Sequence, residues 1–196
     1  MKEIKVLGMD LDGTLVQMRM DFAKIRKEIG VPNGADPLRY IEGLPKKDAT
    51  RMTRYIESME REAAEQAELT TGAKELMDHC KSSDIKVVII TRNSEESTKR
   101  TLELLGVEVD MIVSREHAEP KPSPEPIHLV LTHFGLKPHQ MGYVGDYIYD
   151  IQAGNSAGVK TVLLTSNEHA GNWVGLADYV AEDLLEVLDF MRGKNA

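Results

Sequence analysis

Short apolar runs recur along this chain, and segments of helical period fill most of the intervals between them. The runs are residues 4–9, 86–91, 110–114, 141–145 and 161–164. A parallel strand covered on both faces reads as such a continuous run, without polar alternation. Between the runs, Ala73, Leu76, Met77 and Cys80 fall on one helical stripe, and Leu102 and Leu105 with Thr98 and Thr101 on another. Ile127, Val130, Leu131 and Phe134 make a third, and Leu184, Val187, Leu188 and Met191 a terminal one. Strands that alternate with amphipathic helices predict an α/β protein with a doubly wound parallel sheet. A length of 196 residues suits one domain, or one domain carrying a small insertion.

One stretch breaks the alternation. Residues 16–70 contain no good strand. Ala49, Met52, Ile56, Met59, Ala63 and Ala67 predict a long amphipathic helix over 46–68, packed on a shorter one over 21–29. Pro32, Asn33, Gly34, Pro37, Gly43 and Pro45 read as turns between them. The expected organisation is a core of residues 1–15 and 71–196, with 16–70 as a small helical cap inserted after the first strand. Pro120, Pro122, Pro124 and Pro126 predict a stiff loop leading into a helix near Ser123.

The formal charge is −8 and no basic tract is present, which argues against a nucleic-acid partner. A single cysteine, Cys80, excludes an internal disulfide framework or a multi-cysteine zinc site. There is no apolar leader and no membrane-spanning run, so the expectation is a soluble, cytoplasmic protein, monomer or homodimer.

Ligands of open α/β sheets bind beyond the carboxyl ends of the strands. The first run ends in Asp10-Leu11-Asp12-Gly13-Thr14, and the second in Thr91 followed by Arg92 and Asn93. The third leads into the loop carrying Lys121, and the fourth ends in Gly145-Asp146 with Asp150 a helical turn later. Each residue alone has a plain reading: a strand-end threonine, a solvated lysine, acids favoured at a helix start. Together they converge on one edge and fit phosphoryl transfer. Asp10 and Asp146 offer hard oxygen ligands for Mg2+. The Thr91 hydroxyl and N–H groups at the next helix start suit phosphate oxygens, and Lys121 supplies a point charge. Arg92 and Asn93 join them as candidate phosphate contacts. One carboxylate can attack phosphorus while a second moves the proton.

The pattern resembles the haloacid dehalogenase superfamily, through DLDGT at 10–14, Thr91 closing the IIT strand, Lys121-Pro122 and GDYIYD at 145–150. TG at 71–72 and AGNSAGVKT, with the order of the motifs, are similar to its phosphoglycolate-phosphatase-like branch. The resemblance implies a Rossmann-like core and a Mg2+-dependent phosphatase acting on a small phosphorylated metabolite through an aspartyl phosphate. It implies Asp10 as nucleophile and Asp12 as general acid and base. Mg2+ would be held by Asp10, Asp146 and the Asp12 backbone carbonyl. Thr91 and Lys121 would bind the phosphoryl group, and Asp150 would support the outer shell of the metal or orient Lys121. Members that displace halide lack the second aspartate, so Asp12 favours phosphoesters.

Gln17 and Met18, Arg92 and Tyr147 depart from the family pattern and leave the substrate open. A phosphomutase or a phosphonate-cleaving enzyme could use the same core. A non-catalytic phosphoacceptor or binding protein is a further alternative, against which the splitting of the acids between the first and fourth strands argues. The six histidines show no metal-binding spacing. Cys80 and Trp173 read as packing residues. Arg19, Lys24, Arg26, Arg51 and Arg54 read as a mostly solvated cap face, from which one or two could reach the remote end of a substrate.

Overall fold

The computed structural model describes residues 3–18, 20–167 and 169–193. Its core is a parallel sheet of six strands in the order β5-β4-β1-β6-β7-β8. These are β1 (Val6–Met9), β4 (Lys86–Ile90), β5 (Met111–Val113), β6 (Met141–Gly145), β7 (Lys160–Leu164) and β8 (Tyr179–Ala181). β1 lies at the centre, with Val6 paired to Lys86 on one side and to Met141 on the other.

Side chains alternate between the two faces of each strand, and the sequence supplies apolar residues to both. Leu7, Met9, Val87 and Ile89 pack with α4 (Ala73–Ser82), α8 (Leu184–Arg192) and Leu102 of α5 (Glu95–Leu105). Val6, Val88, Ile90 and Tyr143 pack with α6 (Glu125–Phe134) and α7 (Ile148–Ala157) on the opposite face. The sheet is thus covered on both sides, as the alternation predicts.

Between β1 and α4 the chain makes α1 (Phe22–Ile29), α2 (Pro37–Glu42) and α3 (Lys46–Ala64). They close over their own apolar cluster of Ile25, Ile29, Val31, Ile41 and Ile56. The expected pair of helices is therefore three. Pro37 and Gly43, read as turn residues, are the first residue and the C-cap of α2, and Asp36 caps it by accepting from the Leu38 and Arg39 N–H groups. Proline and glycine punctuate helices as well as turns, so a six-residue helix was concealed between them.

The expected absence of strands from this stretch also needs correction at its ends. β2 (Val16–Gln17) and β3 (Glu68–Leu69) form a two-residue antiparallel pair, and α3 stops at Ala64 rather than near Glu68. β8 is a three-residue edge strand, too short to stand out as an apolar run. α6 starts at Glu125, two residues later than expected, because Pro124 serves as its N-cap. Among the described residues, no helix is long and apolar enough to cross a membrane.

Candidate active site

The carboxyl edge of the sheet collects the polar strand ends. Asp10 leaves β1 with its N–H donated to the Val144 carbonyl at 2.9 Å, which keeps it in line with β6. The chain then turns sharply at Gly13, whose φ is +80°. A Cβ there would sit 2.5 Å from Asp146 Oδ2, so this glycine supplies both the turn and the room for the acid of the neighbouring strand. Asp12 follows on the same turn, its Oδ1 accepting from the Met18 N–H at 3.3 Å.

Lys121 reaches this edge from the loop before α6 and is buried. Its Nζ donates to Asp10 Oδ1 at 2.7 Å and to Asp150 Oδ1 at 2.6 Å. Asp150 is held in turn by the Tyr143 hydroxyl and the Tyr147 N–H, each at 3.1 Å. Gly145 is required beside it, since a Cβ at that position would overlap the Asp150 side chain. From the sequence, Tyr143 is only part of a strand. Its hydroxyl and its ring, 5.6 Å from the Lys121 ammonium, make it part of the lysine's support. A buried tyrosine within an apolar run gives no sign that its hydroxyl has a partner.

Burial and crowding alter the charges. Burial, together with Asp150 and against the pull of Lys121, raises the Asp10 carboxyl to about 6. Burial and the nearby Asp10 raise Asp12 to about 7, and burial with Asp10 and Asp150 raises Asp146 to about 7. Lys121 is raised above its ordinary value. Burial alone would lower it, but Asp10 and Asp150 outweigh that cost. Cys80 is pushed up to about 12 by burial, in keeping with an inert packing thiol.

Carboxylate oxygens of Asp10, Asp146 and Asp150 all lie within 4.8 Å of one another. Such a set of hard donors suits a small divalent cation. The oxygens of Asp150 already accept from Lys121, Tyr143 and Tyr147, whereas among the described residues Asp146 accepts only a long contact of 3.4 Å from Asn167. Asp146 therefore keeps the lone pairs that a cation needs, and Asp10, whose Oδ1 accepts from Lys121, stands within the same cluster. The Asp12 side chain is turned to Met18 and stands outside this cluster.

The β4 edge is engaged in contacts within the protein. Thr91 is buried beside the site and its Oγ1 accepts from the Asn93 N–H at 3.1 Å. Ser94 caps α5, but its own N–H donates to Glu60 Oε2 of α3 at 3.1 Å, so the helix start is already bonded at that position. Among the described residues, Arg92 pairs with the insert rather than with Asp10, Asp146 or Asp150. Its guanidinium donates to both oxygens of Asp36, at 2.7 and 2.6 Å, and lies over the Tyr149 ring. The sequence distance of 56 residues between Arg92 and Asp36 concealed that pair. The Nδ2 of Asn93 is buried without a partner. Arg19 lies outside the described residues, while Lys24, Arg51 and Arg54 are exposed on the insert.

A family model described as haloacid dehalogenase-like hydrolase matches residues 8–164. The chain belongs to the haloacid dehalogenase-like hydrolases. Within that family it falls in the phosphoglycolate-phosphatase-like branch. The hydrolase is 32% identical over 180 residues to a phosphoglycolate phosphatase of Aquifex aeolicus, covering 82% of this chain and 84% of that protein. It is 31% identical over 209 residues to an uncharacterized hydrolase of Saccharomyces cerevisiae, covering all of this chain and 94% of the other. A crystal structure from Haemophilus somnus, described as a predicted phosphoglycolate phosphatase, superposes with a TM-score of 0.77 at 24% identity. It covers 97% of this hydrolase and 99% of that chain, a likeness of fold.

Proposed function

We propose that this hydrolase is a Mg2+-dependent phosphatase that cleaves a small phosphomonoester through a phosphoaspartate at Asp10. The observation that carries the reading is the buried lysine bridge. Lys121 holds Asp10 and Asp150 together at 2.7 and 2.6 Å, with Asp146 within the same carboxylate cluster. A carboxylate aimed from a strand end and pinned by a lysine is placed to attack, and its neighbours are placed to offset charge.

Asp10 and Asp146 would hold Mg2+, with the Asp12 carbonyl as a third ligand. Bound there, the cation neutralises charge on the transferring phosphoryl oxygens. Asp10 Oδ attacks phosphorus and the ester P–O bond breaks. Asp12, raised to about 7, retains a proton near neutral pH and gives it to the leaving alcohol. The ionised Asp12 then takes a proton from water, which attacks phosphorus, breaks the acyl phosphate and releases inorganic phosphate. Lys121 and Thr91 face the phosphoryl oxygens, and Asp150 keeps Lys121 in position. Helices α1–α3 serve as the cap that closes over the leaving group and excludes water. Phosphoglycolate is the first substrate to try, from the relatives of this branch.

The test is Asp10→Asn assayed with an aryl phosphate and Mg2+. Turnover should fall by more than about a thousandfold. A variant that keeps its turnover removes Asp10 from the role of nucleophile.

A further inference from the structure

The departures at Arg92 and Tyr147 meet in space. β4 and β6 flank β1, so Arg92 at the end of β4 and Tyr149 in α7 stand on opposite sides of the strand that delivers Asp10. The Arg92 guanidinium lies 5.0 Å from the Tyr149 ring centre and therefore spans that strand end. Tyr149 packs edge-on against Tyr147, and Tyr147 against Trp173, with ring centres 5.1 and 5.0 Å apart. From the insert, Asp36 bonds Arg92 through both carboxylate oxygens, and the pair is only 24% and 14% exposed. Arg92 holds the Asp36 carboxyl below its ordinary range although burial alone would raise it, so the pair is charged.

The bar is braced from the insert side. Arg39, one turn along α2, pairs with Glu119 at 3.4 Å, in the loop that carries Lys121. Glu60 of α3, itself buried, ties the insert to Ser94 and Arg115. Outward movement of the insert would therefore also strain the Arg39–Glu119 pair and the contacts of Glu60 with Ser94 and Arg115.

We propose that Arg92 is the residue that limits the size of the leaving group. Clamped between Asp36 and Tyr149, it bars the mouth above Asp10, admitting compact alcohols and obstructing bulky ones. This rests on the phosphatase reading above. Steric exclusion of this kind gives specificity by penalising the wrong substrate rather than by improving the right one.

The test compares phenyl phosphate with 1-naphthyl phosphate, whose leaving groups have similar acidity and differ in size. kcat/KM is measured for both with Mg2+ in the wild type, Arg92→Ala, Arg92→Lys and Asp36→Asn. Asparagine keeps the α2 cap while losing the charge. The wild type should prefer the phenyl ester. Arg92→Ala and Asp36→Asn should raise the naphthyl-to-phenyl ratio by at least about tenfold, and Arg92→Lys should stay near the wild-type ratio. A ratio that does not move in either variant, with thermal melts showing both folded, overturns the proposal and leaves the pair as a structural clasp. Equal use of both esters by the wild type overturns it as well. If folded wild type cleaves neither ester, the phosphatase reading itself fails, and the size limit with it.

Discussion

At the scale of single residues, the site gathers more negative charge than its one lysine can balance. Asp10, Asp12 and Asp146 bind protons more readily in the folded chain, at about 6, 7 and 7, than at their ordinary 3.8. A carboxyl raised in this way favours the folded state below its ordinary value, and that advantage is lost as pH climbs through the raised one. Without Mg2+, stability should therefore fall between about pH 4 and 7, each tenfold change in proton affinity being worth about 1.4 kcal/mol. A cation needs the ionised acids, so the gain in Tm from added Mg2+ should grow across the same window. Melts with Mg2+ and with a chelator, from pH 5 to 8, check this; a gain that is flat with pH separates the metal from these acids. The gathering of Asp10, Asp12, Thr91, Lys121, Asp146 and Asp150 at one edge was legible because each follows a strand. Asp36, Glu60 and Tyr143 were not, because their partners lie far off in sequence or their chain context reads as turn, helix or strand.

At the scale of elements, α3 is the insert's anchor. Glu60 is 1% exposed, accepts from Ser94 N–H and Oγ, and pairs with the largely buried Arg115. Removing one partner of a buried pair leaves the other charged and unpaired, which costs about 3–5 kcal/mol. Glu60→Ala should lose stability of that order by urea or thermal denaturation. A loss under about 1 kcal/mol would place the anchor elsewhere, in the range of an exposed pair. Elements with long apolar stripes were legible: α3 begins at Lys46 and β6 runs Met141–Gly145, both as the pattern predicts. What escaped was short. α2, β2, β3 and β8 have six residues or fewer, and tertiary pairing rather than local pattern holds them.

For the molecule as a whole, the alternation of strands and helices foretold the sheet, because both of its faces need apolar strands. It could not foretell how the insert is attached. Val16 faces Leu69 across the antiparallel pair, and the Thr70 hydroxyl donates to the Thr14 carbonyl at 2.6 Å. Helices α1–α3 are therefore joined to the core through one doorway, about 5 Å wide. A chimaera carrying the matching segment of a relative with a different substrate, and so replacing Asp36, should melt cooperatively and shift the preference; an unchanged preference would leave selection to Arg92 and the core alone. The entropy of closing a flexible loop rises only slowly with its length, about 0.6 kcal/mol per doubling, so a longer segment between the same two ends adds little to the cost. A protein wired this way can trade one piece of itself for another and acquire a new diet, while the machinery that cuts stays where it was.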